Sequence, residues 1–137
     1  MSYVTETPSA PASVVIDHFS RRLSVETDCW DVAASIEKGE QDFVLLHVVG
    51  SPEAYARKHI PGAIHLRHAD MTAERMQDWP QDTLFVVYCA GPHCNGADRA
   101  ALNLARLDRK VKIMIGGITG WADEGLAFET NAVANVA

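Results

Sequence analysis

The chain has 137 residues, 47% of them hydrophobic, with 12 Lys and Arg against 18 Asp and Glu and a formal net charge of -6. That describes one ordinary globular domain with enough apolar material to bury a core. No basic cluster is longer than a pair and no apolar stretch approaches the roughly 20 residues that span a bilayer, which argues against nucleic-acid and membrane partners and for a cytoplasmic protein without a targeting segment.

Residues 1 to 13 are rich in Ser, Thr, Pro and Ala and read as a flexible tail. The domain is expected over 14 to 130, followed by a second tail at 131 to 137. Val15, Phe19 and Leu23 recur at four-residue intervals and predict a short helix, with residues 23 to 26 as a brief first strand. Asp28 suits an N-cap, Val32, Ala33 and Ile36 form one apolar face, and Gly39 fits the place just beyond a helix end. Phe43-Val44-Leu45-Leu46-His47-Val48-Val49 is apolar except for His47, the pattern of a strand covered on both faces. Ser51 then caps a helix with Pro52 at its first position. Ile60-Pro61-Gly62-Ala63-Ile64-His65-Leu66 reads as a turn feeding a short strand, and residues 71 to 76 as a helical turn or two closed by Trp79-Pro80.

Leu84-Phe85-Val86-Val87-Tyr88 is the clearest strand, and it ends directly at Cys89. Ala97, Ala100, Ala101, Leu104 and Leu107 give the following helix its inward face. Val111-Lys112-Ile113-Met114-Ile115 is the last strand, after which Gly116-Gly117 turns the chain into a segment carrying Thr119 and Trp121. Alternation of strands and helices predicts an α/β fold with a parallel sheet covered on both sides.

Three cysteines, Cys29, Cys89 and Cys94, are an odd number, which argues against a structural disulfide framework. Cys89 stands where ligands bind in open parallel sheets, beyond the carboxyl end of a strand. Gly91-Pro92 favours a tight turn, and a helix starting near Asn95 aims its unpaired N–H groups and positive dipole end at that turn. Such a place lowers a thiol pKa from its ordinary value of about 8.5 and makes the thiolate a nucleophile. A small buried residue at a strand end is the alternative reading of Cys89.

The segment Pro52-Glu53-Ala54-Tyr55-Ala56-Arg57-Lys58-His59-Ile60-Pro61-Gly62-Ala63, the run Val86-Val87-Tyr88-Cys89 and the closing Gly116-Gly117-Ile118-Thr119-Gly120-Trp121 resemble, in that order, the motifs of the rhodanese-like domain family. The resemblance implies a five-stranded parallel sheet with helices on both faces and a loop wrapped around a catalytic cysteine. It implies a sulfurtransferase in which Cys89 takes sulfane sulfur from a small donor such as thiosulfate or a persulfide. The Cys89 persulfide then yields it to a thiol or to cyanide, in two half-reactions needing no cofactor. Ala90, Gly91, Pro92, His93, Cys94 and Asn95 are the expected substrate-binding loop.

Departures from the family pattern bear on activity. His47-Val48-Val49 stands where the family commonly has Asp-Val-Arg, so both charges are missing. Lys58 replaces the glycine expected before His59. Only His93 offers the loop a basic group, and it is largely neutral above its ordinary pKa of about 6.5. Asn95 occupies the place of the arginine that related dual-specificity phosphatases need, so phosphate-ester hydrolysis is disfavoured. Arg99 lies one turn into the helix and is not read as a phosphate clamp. Cys94 is either a resolving thiol able to close a disulfide with Cys89 or a loop-packing residue, and Cys29 reads as core without a partner. His59, His65 and His68 lack the companion ligands of a metal site, so none is expected. Two rivals to the sulfur carrier remain: a non-catalytic binding module, suggested by His47 and Val49, and a redox sensor built on Cys89 and Cys94.

Overall fold

A computed structural model describes residues 1 to 131 of the chain. Strands β1 (Glu26–Asp28), β2 (Val44–His47), β3 (Ile64–His65), β4 (Leu84–Tyr88) and β5 (Lys110–Ile115) form one sheet in the order β1-β5-β4-β2-β3. Every ladder is parallel. The order reverses direction at the β2/β4 boundary, where the crossovers leave the two strands in opposite senses.

The period-two alternation of the central strands divides the core. Leu46 of β2 with Phe85 and Val87 of β4 packs against Ala97, Ala100 and Leu104 of helix α5 (Gly96–Arg106) and against Met76 of α4 (Ala73–Met76). Leu45, Val86 and Tyr88 face the other way, toward Val32 of α2 (Cys29–Glu37) and Trp121 of α6 (Gly117–Asp123). The fold is therefore the expected α/β arrangement with helices on both faces. Fully buried side chains such as Phe85 and Leu104 contribute about 1.5–3 kcal/mol each by leaving water.

Helix starts follow from local chemistry. Asp28 accepts the Asp31 N–H at 2.8 Å, Ser51 accepts that of Ala54 at 3.1 Å ahead of Pro52 in α3 (Pro52–Arg57), and Thr72 accepts that of Arg75 at 3.1 Å. Each such cap is worth about 1 kcal/mol. Gly39 adopts φ 69°, as a residue past a helix end does.

The N-terminal region departs from expectation. Helix α1 (Ala12–Val25) begins inside the segment set apart as a tail and runs through the residues expected to open the first strand, so β1 starts only at Glu26. The reason is that β1 has a single neighbour, pairing with β5 from Glu26↔Ile113 to Asp28↔Ile115, and nothing draws residues 23 to 25 into the sheet. No residue of α1 is buried, and Ile16, Phe19 and Leu23 stand exposed. Lys112 ties its C-terminal turn to the sheet by donating to the Leu23 carbonyl at 3.0 Å. Apart from residue 131, the tail expected at 131 to 137 lies outside the described residues. Among the described residues no helix is long and apolar enough to cross a membrane.

Two buried polar groups are held by short networks. Arg109 is buried and donates to the carbonyls of Met76, Trp79 and Pro80, fastening the turn after α4 to the start of β5. His47 and Tyr88, paired across β2 and β4, form the second. The Tyr88 hydroxyl accepts the Ile60 N–H at 3.1 Å, which leaves its own proton for Nδ1 of His47 at 2.7 Å. Burial, followed by the neighbouring His65 and His59, pushes the His47 pKa down to about 4, so the ring is neutral at pH 7.

Because the unfolded ring titrates near 6.5, the unfolded chain binds more protons than the folded one between pH 6.5 and 4. Stability therefore falls with pH through that window, by up to about 3 kcal/mol. The His47→Phe variant lacks this term. Urea titrations should show its deficit relative to the parent chain shrinking steadily from pH 7 to pH 4.5, and a deficit that does not change with pH would contradict the neutral His47–Tyr88 pair.

Candidate active site

The chain leaves β4 at Cys89 and enters α5 at Gly96, so the intervening residues form a short loop against the helix start. The start of the loop is tied to α6. The Cys89 carbonyl accepts the Ile118 N–H at 3.0 Å, and the Ala90 carbonyl accepts the Thr119 N–H at 2.9 Å and its hydroxyl at 3.1 Å. The Cys94 N–H donates to the Gly91 carbonyl at 3.1 Å, closing the turn that Gly91-Pro92 predicts.

This arrangement brings Cys89 and Cys94 together as a disulfide, with α-carbons 6.2 Å apart, inside the usual bridging range. Cys89 is 2% exposed, whereas Cys94 is half-buried. Two glycines make the room. A β-carbon at Gly96 would lie 2.8 Å from the Cys89 sulfur and 3.4 Å from that of Cys94, and the Gly96 N–H points at the Cys94 sulfur at 3.4 Å. Gly117, at φ 58°, lies against the Cys89 carbonyl, and a β-carbon there would also meet the Gly91 nitrogen at 2.9 Å.

The disulfide lines a cleft of about 550 Å³ at the carboxyl ends of β1, β4 and β5. Of the expected loop residues, Gly91, Pro92 and Cys94 border it with Cys89, whereas Ala90, His93 and Asn95 do not. His93 is exposed, and Asn95 accepts from Arg99 at 3.2 Å, so neither Arg99 nor His93 brings positive charge to the wall. The charged groups that do line the cleft are Glu26, Asp28, Asp98 and Glu124, with no Lys or Arg among them. Cys29, expected only as core, opens onto the same space and donates to the carbonyls of Ile115 at 3.5 Å and Gly117 at 3.8 Å. Burial first, then the charges of Asp28 and Glu124, push its thiol up to about 11.

Sequence reasoning missed the carboxylate wall because its members come from three separate places, Glu26 and Asp28 on β1, Asp98 on α5 and Glu124 at the end of α6, which only the fold brings together. It also missed Gly96 and Thr119, although a glycine directly after a suspected nucleophilic loop is a signal of close approach. His59 and His65 are occupied by the protein. His59 bonds the Tyr55 carbonyl through Nδ1 and lies 3.1 Å from Glu129 through Nε2, while His65 bonds the Val49 and Gly50 carbonyls.

Comparison with known proteins gives this geometry its context. Residues 31–124 match the family described as Rhodanese-like domain. The BH2092 protein from Bacillus halodurans is 33% identical in sequence and superposes with a TM-score of 0.83, covering 88% of each chain. The rhodanese-like domain of the Alr3790 protein from Anabaena shares the fold at 24% identity and a TM-score of 0.67, over 77% of this chain and 78% of that one. An HTH-type transcriptional regulator of Mycobacterium tuberculosis is 32% identical over 100 residues, which are 73% of this chain but only 44% of the regulator's length.

The two left-handed glycines Gly117 and Gly125 offer a controlled comparison, since a β-carbon at Gly125 (φ 72°) meets nothing within 4 Å. Gly125→Ala should cost about 1 kcal/mol from backbone strain alone. Gly117→Ala should cost more than about 3 kcal/mol, because the Cys89 carbonyl must also move. Urea unfolding of the two variants checks this, and equal losses would show that the Gly117 contact does not hold the loop.

Proposed function

The chain belongs to the rhodanese-like domain family, and on that premise we propose that it is a sulfurtransferase or persulfide carrier that moves sulfane sulfur through Cys89. The observation that carries this reading is the position of Cys89, at the carboxyl end of β4, facing the cleft and beside the start of α5. Reduction of the disulfide frees its thiolate. That thiolate attacks the outer sulfur of a donor, the donor's S–S bond breaks, and the remainder of the donor leaves with the electron pair. The resulting persulfide passes its outer sulfur to an acceptor thiol or to cyanide. The loop of residues 90 to 95 and the amide-rich start of α5 are the proposed cradle for the developing negative charge, although the Cys94 N–H is already engaged with Gly91.

The carboxylate wall selects among donors. Thiosulfate is a dianion and would meet Asp28, Asp98 and Glu124, along with Glu26, whose charge is paired with Arg22 at 2.7 Å outside the cleft lining. A persulfide carried on a neutral or basic molecule suits the cleft better. The lost Asp-Val-Arg charges do not argue for an inert binding module, because His47 and Tyr88 form a satisfied neutral pair on the sheet face opposite the Cys89 side chain. The redox-sensor reading draws support from the disulfide itself.

Incubating the reduced protein with thiosulfate or with a polysulfide, then recording peptide masses before and after cyanide, tests the proposal. One cyanide-labile sulfur on Cys89, absent in Cys89→Ser, is the expected result. A folded protein whose mass never changes with any donor would end it. The rate with thiosulfate should rise with ionic strength, as screening of like charges requires, and should increase several-fold in Asp98→Asn/Glu124→Gln. A rate that falls with salt would contradict the assigned role of the wall.

A further inference from the structure

We propose that Cys94 discharges the Cys89 persulfide within the same loop, so that the sulfane sulfur leaves as hydrogen sulfide and the protein works as a dithiol persulfide reductase. This rests on the reading of Cys89 as the sulfur acceptor and adds the fate of the sulfur.

Three observations carry it. The two sulfurs are bonded in a loop whose start is tied to α6 and whose turn is closed by the Cys94 N–H, so they meet without rearrangement of the strand or helix. Gly96 keeps the space for both sulfurs clear, and its N–H points at Cys94, where it stabilises a thiolate once the bridge opens. Cys89 is buried while Cys94 is half-buried, so a persulfide on Cys89 is more accessible to its neighbour than to a bulky acceptor. An intramolecular thiol so placed competes at an effective concentration that free thiols do not reach.

The chemistry balances. The Cys89 thiolate takes the outer sulfur of a persulfide donor, whose own sulfur leaves as a thiol. The Cys94 thiolate then attacks Sγ of Cys89, breaking its bond to the outer sulfur, which departs as hydrosulfide. The sulfane sulfur gains two electrons and the two cysteine thiols lose them, becoming the disulfide. In total, one persulfide and two cysteine thiols give one thiol, one hydrogen sulfide and the bridged loop. A dithiol reductant, or two low-molecular-weight thiols, opens the bridge for the next turnover.

Single-turnover experiments on the reduced full chain, without oxygen and with one equivalent of cysteamine persulfide, whose amine suits the carboxylate-lined cleft, test this. The parent protein should release one hydrogen sulfide per chain, lose the mass of two hydrogens and show a Cys89–Cys94 peptide. Cys94→Ser should keep the extra sulfur on Cys89 and release sulfide roughly a hundredfold more slowly. Equal release from Cys94→Ser, or a parent protein that holds a lasting persulfide with Cys94 still free, would overturn the proposal while leaving Cys89 as carrier. If neither protein takes sulfur onto Cys89 while circular dichroism shows both folded, the carrier reading and this inference both fall.

Discussion

The hydrogen bond from the Ile118 amide to the Cys89 carbonyl, made across the α-carbon of Gly117, is the contact on which the site depends. It joins the end of β4 to the first turn of α6, and hence to the end of β5 one residue earlier. A chain leaving a strand would otherwise be free to choose its direction. Here the carbonyl is fixed, the next carbonyl is held by Thr119, and the short path to α5 allows little besides a turn. The placement of Cys89 is therefore a property of the carboxyl end of the central strand and of one glycine on a neighbouring element.

On the opposite face, at the same height, the pair of His47 and Tyr88 solves a different problem. A strand end deep in a parallel sheet carries polar backbone groups that must be satisfied without water. Charged residues there need a partner to offset their burial, whereas a neutral imidazole and a phenol satisfy each other and the Ile60 amide. Because successive side chains point to opposite faces, Tyr88 can belong to this network while Cys89 belongs to the cleft. Loss of the family's charges after β2 thus has a local structural answer.

Most of the fold was legible because the informative signals are local. The apolar run through His47, the β-branched strand ending at Tyr88, the caps at Asp28 and Ser51 and the alanine face of α5 each determine their element without help from distant residues. Residues 23 to 25 were misread because their fate depends on whether an edge strand finds a partner, which is a question of register and not of composition. The candidate site divides in the same way. Its central thiol follows from a strand end and a turn, both local. The carboxylates, Cys29 and the glycine beneath the Cys89 carbonyl enter from β1, α2, α5 and α6, and only the strand order brings them to one place.

The third cysteine has a kinetic meaning. Cys29 lines the same cleft as the disulfide, although it is itself buried, and exchange with either bridged sulfur would scramble the pairing. Exchange proceeds through the thiolate, and a thiol pushed up to about 11 presents only about one molecule in ten thousand in that form at pH 7. Burial does most to insulate it, and the charges of Asp28 and Glu124 add to the effect. In the proposed chemistry this confines electron traffic to a two-sulfur circuit and leaves the third sulfur a spectator.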